Sequence, residues 1–363
     1  MNLETRKAIY KKLEEKRGNP LIVYAISSRP GVNGQLAGDV VNEMIEQINL
    51  IPDGTQEIDL FIKSTGGDGL AAWRIISILR AKATKINILI PDEALSAATI
   101  LALGANKIVM GKYGCLGPID PQITITKNDG SVENFAYEDL ASFLNFSKNE
   151  VGLTEQEHIE KIFSKVCDQV NPMSLGFANR ASSLAVEMGQ KLLLTHMPES
   201  ENIKAKEIAT KLNKNFFSHG HVLFRDEAEK IGLKIEKPDD ETESLMWQIR
   251  ESFKEEMQID NPFVPLSEYL NDPSGQIMLT NPPVISVPTN IDPNLVNQVI
   301  IGKLQQQLST NGPDVVREIK VAALESTRRS AEFYIKLKII VFRNIDLNFK
   351  VNVVNINQGW RQI

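Results

Sequence analysis

One serine stands among small residues at the head of an apolar run: Ser96 in EALSAATILALGA, residues 93–105. A second stretch, IKSTGGDGLAAW at 62–73, sets Gly66 and Gly67 side by side where an apolar strand gives way to a helix. Together these residue types suit acyl transfer. A hydroxyl at a helix N-terminus is placed to attack a carbonyl, and glycines reach backbone angles closed to other residues, which frees their N–H groups to point at a ligand. The N–H groups of Gly67 and Ala97, the latter aided by the helix dipole, are the candidate donors to an oxyanion. Losing one such donor typically costs about 3–4 kcal/mol of transition-state stabilisation. Ala94, Ala97 and Ala98 leave room for a peptide backbone beside the serine. The same residues also serve a plainer purpose, with Ser96 as a helix N-cap and the glycines as a tight turn.

These residues need a scaffold, and the chain alternates in a way that supplies one. LIVYAI (21–26), EIDLFIK (57–63), INILI (86–90) and NKIVMG (106–111) read as strands. Helices are expected over 36–51, where Val40, Val41, Met44, Ile45 and Ile48 form one stripe, over 69–83, and from Ser96 to Leu103. Strand–helix alternation implies an α/β fold with a mostly parallel sheet and right-handed crossovers. Ligand sites in such sheets form at the carboxyl ends of the strands, where both Gly66–Gly67 and Ser96 fall. Beyond 122 the pattern changes. A hairpin with NDG at its turn is expected over 123–137, then helices at about 137–146, 154–170, 174–194 and 200–215, and a short helix and strand by 235. The acidic EKPDDETES (236–244) reads as a boundary. After it the spacing predicts helices over 295–309 and 313–330 and two strands, FYIKLKIIVF and LNFKVNVVNI. The expected division is an N-terminal helix 1–17, a main domain 18–244 and a C-terminal α+β appendage 245–363.

Composition bounds the function. With 42% hydrophobic and 24% charged residues the chain is an ordinary globular one, and its 363 residues exceed one average domain. A net charge of −6 argues against nucleic acid as partner. Cys115 and Cys167 make no disulfide framework and no zinc pattern, which fits a reducing cytoplasm. The first twenty residues lack the apolar core of a signal peptide, and no run approaches the ~18 apolar residues of a membrane span. The acidic residues show no metal-ligand spacing, so neither metal nor cofactor is expected. No G-x-G-x-x-G turn follows the first strand and no Walker A motif occurs, so any ATPase would be a separate partner.

STGGDG, ALSAATILALGANKIVMG, LGPIDPQ and SHGHVLFRDEAEKIGL occur in an order and spacing that resembles the serine dehydrogenase proteinase group. That group lies in the Clp/crotonase-like superfamily, beside the Clp peptidase subunit and signal peptide peptidase A. The resemblance spans roughly 18–235 and implies a superhelix of stacked β-β-α units. It implies a nucleophile at Ser96 and an oxyanion hole at Gly66, Gly67 and Ala97. It also implies a serine peptidase acting on peptides or unfolded proteins, assembled as a homo-oligomer.

The base is where this sequence departs from the Clp pattern. Where Clp peptidases carry their histidine, this chain has Asp120 in GPIDPQ; near where their acid stands, it has His219 and His221 in SHGH. A triad of Ser96, His219 and Asp120, with base and acid exchanged in chain order, is chemically sound because triads are set by geometry. His221 is the neighbouring alternative. The resemblance to signal peptide peptidase A offers a serine–lysine dyad instead, with Lys148, Lys161 or Lys165 as base. His158 lies on a polar helix face and His196 near a helix C-terminus. Arg29 either binds a substrate carboxylate or pairs with an acid, and Asp68 either caps a helix or lines the cleft. The competing functions are a peptidase-like scaffold without activity and, less favoured by a serine in this turn, a crotonase-type acyl-CoA enzyme.

Overall fold

The computed structural model describes residues 2–126, 131–216, 218–280, 284–308, 313–343 and 348–363. In chain order the elements are α1 (Leu3–Arg17), β1 (Leu21–Ile26), α2 (Val40–Asn49), β2 (Glu57–Lys63), α3 (Gly69–Lys82), β3 (Lys85–Ile90), β4 (Glu93–Ala94) and α4 (Ala97–Leu103). Then come β5 (Lys107–Met110), β6 (Cys115–Leu116), β7 (Ile123–Thr126), β8 (Val132–Phe135), α5 (Tyr137–Asn149), α6 (Gln156–Gln169), α7 (Pro172–Leu194), α8 (Asn202–Lys214), α9 (Arg225–Ile231) and β9 (Ile235–Glu236). The rest is α10 (Asp240–Glu256), α11 (Pro265–Leu270), α12 (Pro273–Thr280), α13 (Val296–Leu308), β10 (Val315–Glu325), β11 (Ser330–Arg343) and β12 (Phe349–Gln362).

The chain divides into two compact units, residues 1–26, 35–252 and 324–330 in the first, and 27–34, 253–323 and 331–363 in the second. In the first, β1, β2, β3, β5 and β9 pair in that order, all parallel. β1 is buried along its whole length and β2 and β3 are buried but for their first residues, which is why their sequences are continuous apolar runs rather than alternations. The crossovers between them are helical, as the alternation requires: α2 sets Val40, Val41, Met44 and Ile48 inward, and α3 buries Ala71, Ala72, Ile75, Ile76 and Leu79. α4 is buried on every side. The hairpin expected over 123–137 exists as β7 and β8 in antiparallel register; the NDG turn lies outside the described residues.

Within the stretch 236–244, Asp240, Glu241 and Glu243 form the acidic first turn of α10, where the helix dipole favours negative charge, and Asp239 accepts from the N–H of Thr242 at 2.9 Å. One expectation is corrected. Residues 313–330 are not a helix. Val315, Val316, Ile319 and Val321 are β-branched and lie in strand β10, and their packing overrides the helix-like spacing of Arg317, Glu318 and Lys320.

In the second unit β10, β11 and β12 follow one another, with β11 and β12 antiparallel. Its core gathers Phe263, Tyr269, Val315, Ile319, Val321, Leu337, Ile339 and Val341. Arg317 binds Glu268 at 3.1 Å and Asp272 at 2.9 Å.

Candidate active site

The site grows from a register row beside the main sheet. Ser64, just past β2, bridges Ala94 of β4 in parallel; Ala94 pairs with Leu116 of β6 in parallel; Leu116 bridges Leu223 in antiparallel fashion. Backbone bonds fix each contact, Leu95 N–H to Ser64 O at 2.9 Å and Leu223 N–H to Leu116 O at 2.8 Å among them. Chain direction then decides what meets. Ser96 lies two residues past Ala94, Asp120 four past Leu116, and His219 four before Leu223 on the antiparallel partner. All three, together with Gly66 and Gly67, leave the row at the same end.

Ser96 has φ +52° and ψ −117°, one of two non-glycine residues with positive φ among the described residues. That conformation stores strain in a residue with a Cβ and marks a site whose surroundings over-determine it. It has the form of a nucleophile elbow, a sharp strand-to-helix turn that lifts a serine Oγ off the chain. Ser96 precedes α4 at the N-cap position, yet its side chain makes no capping bond. The plainer reading of the hydroxyl as a helix cap is therefore overturned.

The double-glycine bend is built around this turn. Gly66 and Gly67 have φ of +116° and +145°. A Cβ on Gly66 would lie 2.7 Å from Ser96 Cβ, and one on Gly67 would lie 2.2 Å from the carbonyl oxygen of Leu36, so neither position admits a side chain. Leu36 straps the bend from outside, donating its N–H to Gly66 O at 2.8 Å and accepting from Asp68 N–H at 2.7 Å. The N–H groups of Gly67 and Ala97 bond to nothing among the described residues. Gly66 is different: its N–H donates to Ser64 Oγ at 3.0 Å, so it is removed from the expected set of oxyanion donors. Asp68 caps α3 through the N–H of Leu70 and does not need a role in the cleft.

His219 and Asp120, 99 residues apart, are joined by a hydrogen bond of 2.8 Å from Nδ1 to Oδ1. A carboxylate only accepts, so Nδ1 donates and Nε2 is left as the ring's basic atom. Asp120 is buried and its other oxygen accepts from Gln122 Nε2 at 2.8 Å. The bond to Asp120 raises the pKa of His219 above its ordinary value, against burial, which lowers it. The Oγ of Ser96 makes no hydrogen bond to any described residue, His219 included.

The other candidates lie elsewhere. His221 faces Glu227, 3.2 Å away, and stacks on Phe216 at 4.7 Å. Lys161 pairs with Glu157 and Lys165 with Asp168 on the exposed face of α6, and Lys148 is exposed in the last turn of α5. All three side chains are exposed to solvent. His196 bonds the carbonyl of Leu103 at 3.0 Å, and burial lowers its pKa. Arg29 binds Asn261 O at 2.7 Å and Glu268 at 3.4 Å, the acid-pairing alternative. Burial pushes the Cys115 thiol up to about 11, which leaves it an inert packing group. Among the described residues no cluster of acidic, histidine or cysteine side chains is arranged to hold a metal, and no helix is long and apolar enough to cross a membrane.

Sequence reasoning passed over Ser64 and Thr99, both fully buried. Thr99 donates Oγ1–H to Ala94 O at 2.8 Å and accepts from Gly117 N–H at 3.0 Å. Its signal was present: it is the one polar residue in the apolar run Ala97–Leu103.

A parallel α/β sheet thus carries a strained serine and a double-glycine bend at its carboxyl edge. Residues 2–139 match the family of ClpP-like SDH-type serine proteinases, the group the motifs resemble; the match ends before the SHGH segment. Two uncharacterized proteins of Methanocaldococcus jannaschii are similar, at 27% identity over 193 residues and 26% over 194. Each alignment covers 53% of this chain and 56% or 58% of the relative, so the chain spans little over half their length. Among solved structures, a mutant form of the 1510-N membrane-bound stomatin-specific protease matches at 15% identity with a TM-score of 0.37, over 68% of this chain and 91% of that one.

Proposed function

We propose that this chain is a serine peptidase that hydrolyses peptide bonds of peptides or unfolded proteins through an acyl-enzyme on Ser96. The observation that carries the reading is the backbone of Ser96, held at φ +52° with its hydroxyl spared from capping. In the proposed mechanism Ser96 Oγ attacks the scissile carbonyl as His219 Nε2 takes its proton. Asp120 holds the ring through Nδ1 and stabilises the imidazolium. The oxyanion accepts from Gly67 and Ala97, and His219 returns the proton to the leaving amine. Water then repeats the sequence to release the acyl group. The step needs no nucleotide and no metal.

A small layer of β4 and β6 beside the main sheet suits stacked β-β-α units. Assembly into a homo-oligomer is supported by exposed aromatic side chains, Phe163 on α6, which buries no residue, and Phe143 and Phe146 on α5. The acyl-enzyme is tested by fluorophosphonate labelling: the wild type is labelled and Ser96→Ala is not. A wild type that resists labelling from pH 6 to 9 sinks the proposal. One observation favours a second reading, a peptide-binding scaffold: Ser96 and His219 share no hydrogen bond. That reading predicts peptide binding without labelling.

A further inference from the structure

We propose that Thr99 is a positioning residue of the triad: its hydroxyl clasps the strand that delivers Ser96 to the segment that delivers Asp120. The inference rests on the peptidase reading for its kinetic consequence, though not for its structural one. A threonine in a helix usually returns its hydroxyl to a carbonyl of its own preceding turn. Here that carbonyl, Leu95 O, already accepts from Ala98 N–H at 2.9 Å. Thr99 Oγ1–H reaches back one residue further, to Ala94 O at 2.8 Å, outside the helix and in β4. Its lone pair then accepts the N–H of Gly117 at 3.0 Å. One atom thus ties a residue two before Ser96 to a residue three before Asp120.

The clasp sits where the register row stops helping. β4 and β6 pair over only two residues each, Glu93 with Cys115 and Ala94 with Leu116, and the ladder ends there. Beyond Leu116 the chain passes close to the Ser96 turn; a Cβ on Gly117 would lie 3.2 Å from the Leu95 side chain. Ala94, Thr99, Leu116 and the Ser64 side of the row are all fully buried, so no water replaces the lost partners when the hydroxyl is removed. An unpaired buried N–H at Gly117 would draw that segment toward another acceptor and carry Asp120 away from His219.

The test uses the full chain with Thr99→Val, Thr99→Ala and Thr99→Ser. The first readout needs no activity: the titration of His219 by NMR of isotope-labelled histidine, assigned with His219→Gln, because the Asp120 bond is what raises that midpoint. Thr99→Val and Thr99→Ala are expected to lower the midpoint toward 6.5, and Thr99→Ser to keep it at the wild-type value. The second readout is turnover of a peptide reporter together with the fluorophosphonate labelling rate. Both fall about 100-fold in Thr99→Val at little-changed KM, as misplacement by roughly an ångström does, and Thr99→Ser restores them. An unmoved His219 midpoint in Thr99→Val or Thr99→Ala overturns the clasp. If neither variant folds, Thr99→Ser alone decides: a midpoint shifted from wild type shows that the methyl group, not the hydroxyl, holds the site. A wild type without labelling or turnover sinks the peptidase reading and leaves the His219 titration to judge Thr99.

Discussion

Two of the acid–base pairs that the first unit bridges across long sequence distances are built to opposite ends. Arg6 meets Glu325 through two bonds, Nε to Oε2 at 3.0 Å and Nη2 to Oε1 at 2.8 Å, with both side chains at zero exposure. Tyr10 and Ser252 complete the shell, Tyr10 OH donating to Glu325 at 2.6 Å and Arg6 donating to Ser252 at 3.3 Å. His219 and Asp120 share one bond, and the imidazole stays 37% exposed. The sealed pair has every oxygen and most protons taken, so it can hold but not react. The open pair keeps Nε2 without a hydrogen bond among the described residues and its ring partly exposed, so it can exchange a proton. The difference teaches that partner saturation, more than the presence of charge, separates a strut from a proton carrier.

The sharpest cut along that line is at the nucleophile. Ser96→Ala should lower peptide turnover by on the order of a millionfold while leaving thermal unfolding unchanged, since alanine keeps the strained backbone and no cap bond is lost. A large drop in Tm would assign Ser96 to the strut side instead. Next comes the acid. Asp120→Asn should reduce kcat about 10⁴-fold, because an amide no longer fixes the donor tautomer of His219 or stabilises the imidazolium. Equal loss on His221→Gln would mean that the wrong histidine has been chosen.

The strut should break in the other currency. Arg6→Met strands the carboxylate of Glu325 in the core and should destabilise the fold by about 3–5 kcal/mol, read from chemical denaturation, with kcat per folded molecule unchanged. Replacing both partners by apolar residues, Arg6→Met with Glu325→Leu, should recover most of that loss. A double variant no more stable than Arg6→Met would show that the pair contributes more than its own charge balance.

The Arg6–Glu325 pair could not be read from the sequence, because 319 residues separate its members and no local pattern encodes such a pairing; His219 and Asp120, 99 residues apart, came together only through the family resemblance. The main sheet was legible because buried parallel strands must be apolar runs set apart by helices. The Ser96 turn was legible as a serine among alanines at a helix start, but its φ of +52° was not, since the neighbours around it, Ser64 bonded to Leu95 and Gly66 packed on the Ser96 side chain, follow no sequence period. The register row is made of two-residue strands and single bridges, too short to leave an alternation. Family resemblance suggested Asp120 and His219 together, and geometry joined them. It counted Gly66 among the oxyanion donors without its link to Ser64, because nothing in STGGDG tells which of two N–H groups the preceding serine takes.

The smallest and most discriminating test is pH. His219 binds its proton more tightly when folded than the ordinary histidine value of 6.5, because the Asp120 bond outweighs burial. As a base it must be neutral, so kcat/KM should rise with pH through a midpoint above 6.5. Its effect on stability runs the other way. A raised folded-state pKa means that the folded protein holds the proton more firmly, so this contribution is complete below 6.5 and fades as pH climbs through the folded midpoint. Activity should therefore grow across the window in which the His219 contribution to stability disappears. Asp120→Asn should move the activity midpoint down, since burial, which lowers it, then acts with less opposition. Arg6→Met should leave the midpoint where it was. A midpoint indifferent to Asp120 and sensitive to Arg6 would exchange the roles of the two pairs.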